Sequence, residues 1–341
     1  MSSAPRIAEY VEPGEEHLIR LLVQVGVTEA VSVLPWAVGA ATSSTATAFA
    51  KTDDPWSAAA LERHAQYFGE RGLRLTVIED SPPMEQIRLG APGRDRELEM
   101  MLELVRALGS AGVDVLCLNF MAGSGWARTA TAVRGRGGAL VTAFESSAMR
   151  RIPPARFAPL ERSRVLESFA WFVERIRPAA ESAGVRIAFH PDDPPVPSFR
   201  GVARVLASLD DLEAAVRAAA SPNVGLAFCQ GNIALMTPDV PAAIRRFAEL
   251  GSIHFVHFRD VTGGPDAFVE TFHDEGPTDM HACMRAYAEC AVDVPMRCDH
   301  VPTLDGDDHS RPGYSVLGRL WAVGYMQGLR EAALGSPSGR P

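Results

Sequence analysis

Four short runs in the second half of the chain decide its fold: RIAFH (186–190), VGLAFC (224–229), IHFVH (253–257) and VPMRCD (294–299). Each is a short, largely apolar run of strand-forming residues that ends in a side chain able to hold a metal. The four end residues are His190, Cys229, His257 and Asp299. Successive ends are 39, 28 and 42 residues apart, which is room for one helix and a return to the next strand. In a closed barrel of parallel strands, all C-terminal ends open on one face, and chemistry is placed there. The four side chains are therefore expected to converge.

Outward from these runs the same alternation fills the chain. Strands are expected at 7–10, 30–34, 73–79 and 113–120, ahead of the four already named. Helical spacing of apolar residues marks 15–25, 56–72, 94–111, 159–182, 209–220, 240–250, 278–290 and 313–334. Residues 121–147 read as a long loop rich in Gly, Thr and Arg. Eight strand–helix units predict an α/β (β/α)8 TIM barrel. It forms a single domain over 1–334, with a disordered tail at 335–341. A doubly wound open sheet would need a phosphate-cradling turn after an early strand, and no G-x-G-x-x-G occurs.

Composition narrows the function. The net charge is −9 over 341 residues, with both signs interspersed, so no basic stripe offers a nucleic-acid surface. Of the 33 basic residues only Lys51 is a lysine, and it lies in a Ser/Thr/Asp-rich stretch. Schiff-base catalysis, which needs a buried lysine, is excluded. The five cysteines suggest no disulfide framework, and three fall inside strand readings, as expected of a reduced, cytoplasmic protein. The start, MSSAPRIAEY, lacks the pattern of a signal peptide. The fairly apolar stretch 29–50 is broken by Pro35 and many hydroxyl residues, so no membrane span is expected.

Each candidate is weak alone. A histidine or cysteine at a strand end is ordinarily a packed core residue, and an isolated Asp-His pair means little. Four at equivalent places mean much more. His254 and His257 share a strand at odd spacing and face opposite sides; His257, nearer the C-terminal end, is the one expected to point into the barrel mouth. Gln230, Gly231 and Asn232 read as a polar turn where backbone approaches a ligand. A set of two imidazoles, a thiolate and a carboxylate suits Zn2+, Fe2+ or Co2+, and the carboxylate also suits Mn2+. Downstream of β-strand seven lies a dense charged loop with Arg259, Asp260, Glu270, His273, Asp274 and Glu275. Arg259 is expected to bind a substrate carboxylate in bidentate fashion, and Asn119 to bond a hydroxyl. Trp126 and Arg128 are expected to wall the pocket, and Tyr314 to start the last helix.

At these residues the chain resembles the mannonate dehydratase family of xylose-isomerase-like barrels. The matching segments are GLRLTVIEDSP, LCLNFM with GWART, FHPDDPP, FCQGN, FVHFRD, FHDEG, RCDH and PGYS, from about Gly72 to Leu320. The resemblance implies dehydration of D-mannonate to 2-keto-3-deoxy-D-gluconate, with Mn2+ as cofactor and no organic cofactor. It puts the metal ligands on His190, Cys229, His257 and Asp299 and the acid/base pair on His300 and Tyr314. Asn119, Trp126, Arg128, Asp192, Arg259 and His273 are expected to meet the sugar acid, in a homo-oligomer. The chain departs from the family's commoner pattern before about Thr52, at 129–147, at VPTLDGD, and at Cys298, where proline is usual. A metal-dependent epimerase or isomerase on the same barrel, or a non-catalytic sugar-acid binder, are the competing readings.

Overall fold

The computed structural model describes residues 3–36, 54–123 and 125–335. Lys51, residues 336–341 of the expected tail and most of the loop after the second strand lie outside the described residues. Eight parallel strands close a barrel: β1 (Arg6–Tyr10), β2 (Glu29–Ser32), β3 (Arg74–Ile78), β4 (Val115–Asn119), β5 (Arg186–His190), β6 (Val224–Cys229), β7 (Ile253–Phe258) and β8 (Pro295–Cys298). They neighbour one another in chain order, and β1 pairs with β8. No helix among the described residues is long and apolar enough to cross a membrane.

Period-two alternation divides seven of the eight strands between two cores; the apolar residues of β8 join only the outer one. Inward-facing Ala8, Tyr10, Val31, Val77, Val115, Cys117, Ala188, Ala227 and Phe255 plug the barrel. The outward-facing residues join the apolar stripes of the surrounding helices in a larger layer. Phe255 is fully buried in the plug, and truncating such a ring to alanine costs about 3–5 kcal/mol. The helices start where side-chain oxygens take orphan amides: Ser57 from Ala60, Ser208 from Asp211, Asp239 from Ala242 and Asp279 from Ala282. The last helix starts at Val316 and not at Gly313, because Gly313 is left-handed (φ +88°).

Two expectations are corrected. The stretch 121–147 is not a structureless loop. Ala130–Arg134 and Leu140–Glu145 pair antiparallel, and Glu145–Ala143 pair in turn with Ala267–Val269 from the segment after β7. With Val261–Gly264 at the far edge they form a four-stranded antiparallel sheet outside the barrel. Its first strand, ATAVR, is largely solvent-facing, so it carries no apolar alternation to betray it. The supposed polar turn after Cys229 is helical, Gln230–Met236.

Candidate active site

The strand ends surround a cavity of about 510 Å3. The strand-end logic holds in detail for β7: Phe255 faces the plug and His257 the cavity, whereas His254 turns outward and its Nδ1 lies 3.1 Å from the Ile187 carbonyl. The donor atoms of His190, Cys229 and His257 lie within 4.8 Å of one another. The Nδ1 of His190 is 2.6 Å from the Pro191 carbonyl. A carbonyl only accepts, so Nδ1 carries the proton and Nε2 keeps its lone pair. Both ring nitrogens of His257 are buried without a hydrogen-bond partner, which is costly and is relieved by a coordinated cation. These residues fit a divalent metal.

Asp299 stands apart from that trio. Its Oδ2 is 3.6 Å from His257 Nδ1, but the carboxylate is engaged by Arg297 (2.9 Å) and Arg259 (3.3 Å). Burial alone would raise its pKa; His300, Arg297, His257 and Arg259 outweigh that and hold it well below the usual carboxylate range. The same balance keeps Glu79 ionised: burial opposes the charge, and Arg297, bound at 2.8 Å through both oxygens, wins with His257.

His300 follows Asp299 in a left-handed conformation (φ +46°) and lines the cavity with Tyr314 and Trp126. Its ring centroid is 5.8 Å from that of Tyr314 and 5.0 Å from that of Trp126. The Tyr314 hydroxyl donates to Asp299 Oδ1 at 3.4 Å. Burial, and then the Asp299 charge, push the phenol's pKa up, so it stays protonated.

Of the expected substrate contacts, Asn119 and Trp126 line the cavity; four others do not and are corrected here. Arg259 is fully buried, and its guanidinium is consumed by Glu270, Asp193 (3.1 Å), Asn232 (2.5 Å) and the Cys229 sulfur (3.2 Å). Arg128 is likewise spent on Asp193 (2.7 Å) and Glu270 (2.6 Å). Asp192 turns away to accept from the Val205 and Leu206 amides at 2.9 and 2.7 Å; its neighbour Asp193 lines the cavity instead. His273 is buried behind β7 against Phe258 and Trp321. Gly231 admits a side chain, not a ligand: a Cβ there would lie 2.7 Å from Arg259 Nε.

Sequence reasoning passed over Glu79, Arg297 and Arg311, which line the cavity. Glu79 ends its strand reading as the four metal candidates end theirs, so the same signal was present. Glu270 stood out only as one charge among several. Its carboxylate, held near a pKa of about 2 because Arg259, Arg128 and His300 outweigh burial, meets His300 Nδ1 at 2.9 Å.

Known proteins are similar to this chain over most of its length. The profile of the D-mannonate dehydratase (UxuA) family matches residues 23–158 and 154–336. Mannonate dehydratase 2 of Halalkalibacterium halodurans is 31% identical over 299 residues, covering 80% of this chain and 84% of that one. Mannonate dehydratase of Thermotoga petrophila is 30% identical over 296 residues, covering 76% and 82%. The crystal structure of mannonate dehydratase from Streptococcus suis serotype 2 superposes with a TM-score of 0.87 at 27% identity, covering 99% of this chain and 96% of that chain. A structure of L-ribulose 3-epimerase, at TM-score 0.59 and 15% identity, shares the fold alone. The chain belongs to the mannonate dehydratase family.

Proposed function

We propose that this chain is a metal-dependent hydro-lyase that converts D-mannonate to 2-keto-3-deoxy-D-gluconate and water. The observation that carries this reading is the donor trio His190, Cys229 and His257, two of whose members, His190 and His257, line one cavity with His300 and Tyr314. His190, Cys229 and His257 would hold the metal, with Asp299 as fourth ligand once its carboxylate turns from Arg259; Mn2+ is the proposed ion, with Fe2+, Co2+ and Zn2+ compatible with the donors. When bound, the metal supplies Lewis-acid stabilisation of the negative charge that develops on the sugar acid's oxygens.

Dehydration removes the proton on C2 and expels the C3 hydroxyl. Tyr314 keeps its proton at neutral pH and is assigned to the departing hydroxyl, which leaves as water. His300, which lines the cavity beside Tyr314, is assigned to the C2 proton. The resulting enol tautomerises to the 2-keto acid. Asn119 and Trp126 bound the space beside this pair.

The test is incubation of Mn2+-loaded protein with a panel of C5 and C6 aldonic acids, read by product mass. Loss of one water from D-mannonate, abolished by chelation, is expected. An isomer of unchanged mass would favour an epimerase, and binding without turnover a sugar-acid binder.

A further inference from the structure

A second group of metal donors shares the cavity. The Glu79 carboxylate just past β3, the Cys117 thiol of β4 and a ring nitrogen of His257 lie within 4.8 Å of one another. His257 is thus the common corner of two triangles, one with His190 and Cys229, the other with Glu79 and Cys117. Its Nε2 is 3.3 Å from Glu79 Oε1 without a hydrogen bond being formed. Cys117 tops the apolar plug, is buried and is not disulfide-bonded. Its thiol makes no hydrogen bond among the described residues.

We propose that Glu79, Cys117 and His257 form a second position for a thiophilic divalent cation of the Zn2+ type, exclusive with the first because His257 serves only one at a time. The donor set is what selects the ion. One thiolate, one imidazole and one carboxylate are a combination zinc accepts, and donors in a tetrahedral zinc site sit roughly 3.5 Å apart, so the group needs to contract by about an ångström. Glu79 has an oxygen to share: Arg297 keeps hydrogen bonds to Asp299 and to the Cys298 carbonyl when the carboxylate turns. Binding displaces the Cys117 thiol proton to solvent. A cation held there removes a ligand from the His190–Cys229 trio. This exclusivity rests on the reading of that trio as the metal site; the second position itself does not.

Two measurements, neither involving turnover, test it. Wild-type crystals soaked in Zn2+ and measured at the zinc edge should show anomalous density between Glu79, Cys117 and His257; density confined to the His190–Cys229–His257–Asp299 side overturns the proposal. In solution, Co2+ bound by a thiolate gives a near-ultraviolet charge-transfer band. Cys229→Ser should retain that band, and Cys229→Ser combined with Cys117→Ser should lose it. A Cys229→Ser protein that melts cooperatively but shows no band, or a double variant that keeps it, overturns the proposal.

Discussion

The Nδ1 of His300 lies 2.9 Å from Oε1 of Glu270, a fully buried carboxylate that no barrel strand carries. The barrel delivers His300 from the end of β8, and the antiparallel sheet outside the barrel delivers Glu270. Arg128 and Arg259 close the same cluster, their charges balanced by Glu270 and Asp193.

Glu270→Gln should therefore do two things. It leaves two guanidiniums facing His300 with one carboxylate fewer, and breaking a buried ion pair costs about 3–5 kcal/mol. Turnover should fall by roughly 10²–10⁴, the range of a lost acid/base contribution. Urea unfolding and steady-state kinetics check both; an unchanged kcat in a destabilised protein would show that the carboxylate is only structural.

His300→Asn should bind metal as the wild type does and lose most turnover. Metal content by mass spectrometry and product formation are measured on the same preparation. Wild-type turnover in this variant would refute the assignment of His300.

Cys229→Ser is expected to act on the metal. The first position loses its sulfur donor, so Mn2+ retained after gel filtration should drop well below the wild-type ratio. Unchanged stoichiometry and affinity for Mn2+ would remove Cys229 from the ligand set.

Gly231→Ala tests the packing of Arg259. The added methyl carbon meets Arg259 Nε at 2.7 Å, Cγ at 2.9 Å and Cζ at 3.0 Å, so the guanidinium must leave Cys229 and Asn232. An overpacked buried site costs about 1–3 kcal/mol, with metal affinity falling alongside. A melting curve identical to wild type would show that the arginine has room to move.

Three buried histidines should make stability decline as pH drops below about 6.5. His64, His254 and His273 are buried, and burial lowers each pKa to about 4. The unfolded chain binds protons at these residues from about pH 6.5 downward, while the folded chain does not until about 4. Stability is thus full above 6.5 and is lost through that window, by up to ~1.4 kcal/mol per pH unit for each histidine. Urea midpoints of metal-free protein at pH 7.5 and 5.5 measure it. His64→Gln should flatten the slope, and an equal slope in that variant would count against this account of His64.

The barrel and most of the cavity's strand-end residues were legible in the sequence. Strand ends of a parallel barrel must converge, so a short apolar run and its last residue place a side chain without knowledge of its neighbours; His190, Cys229 and His257 followed from that. Period two alone separated His257 from His254. What a charged residue touches is not written locally. Arg259 read as a substrate clamp, and Asp192 as its companion; the fold instead surrounds Arg259 with carboxylates from β5's loop and the outer sheet, and gives Asp192 to two backbone amides. The outer sheet was invisible because ATAVR faces solvent, and the hairpin it forms with residues 140–145 is completed by strands more than a hundred residues further on. Local periodicity determined which side chains reach the mouth of the barrel; only tertiary pairing decided which of them are free to meet a ligand, because the buried charges had first to satisfy one another.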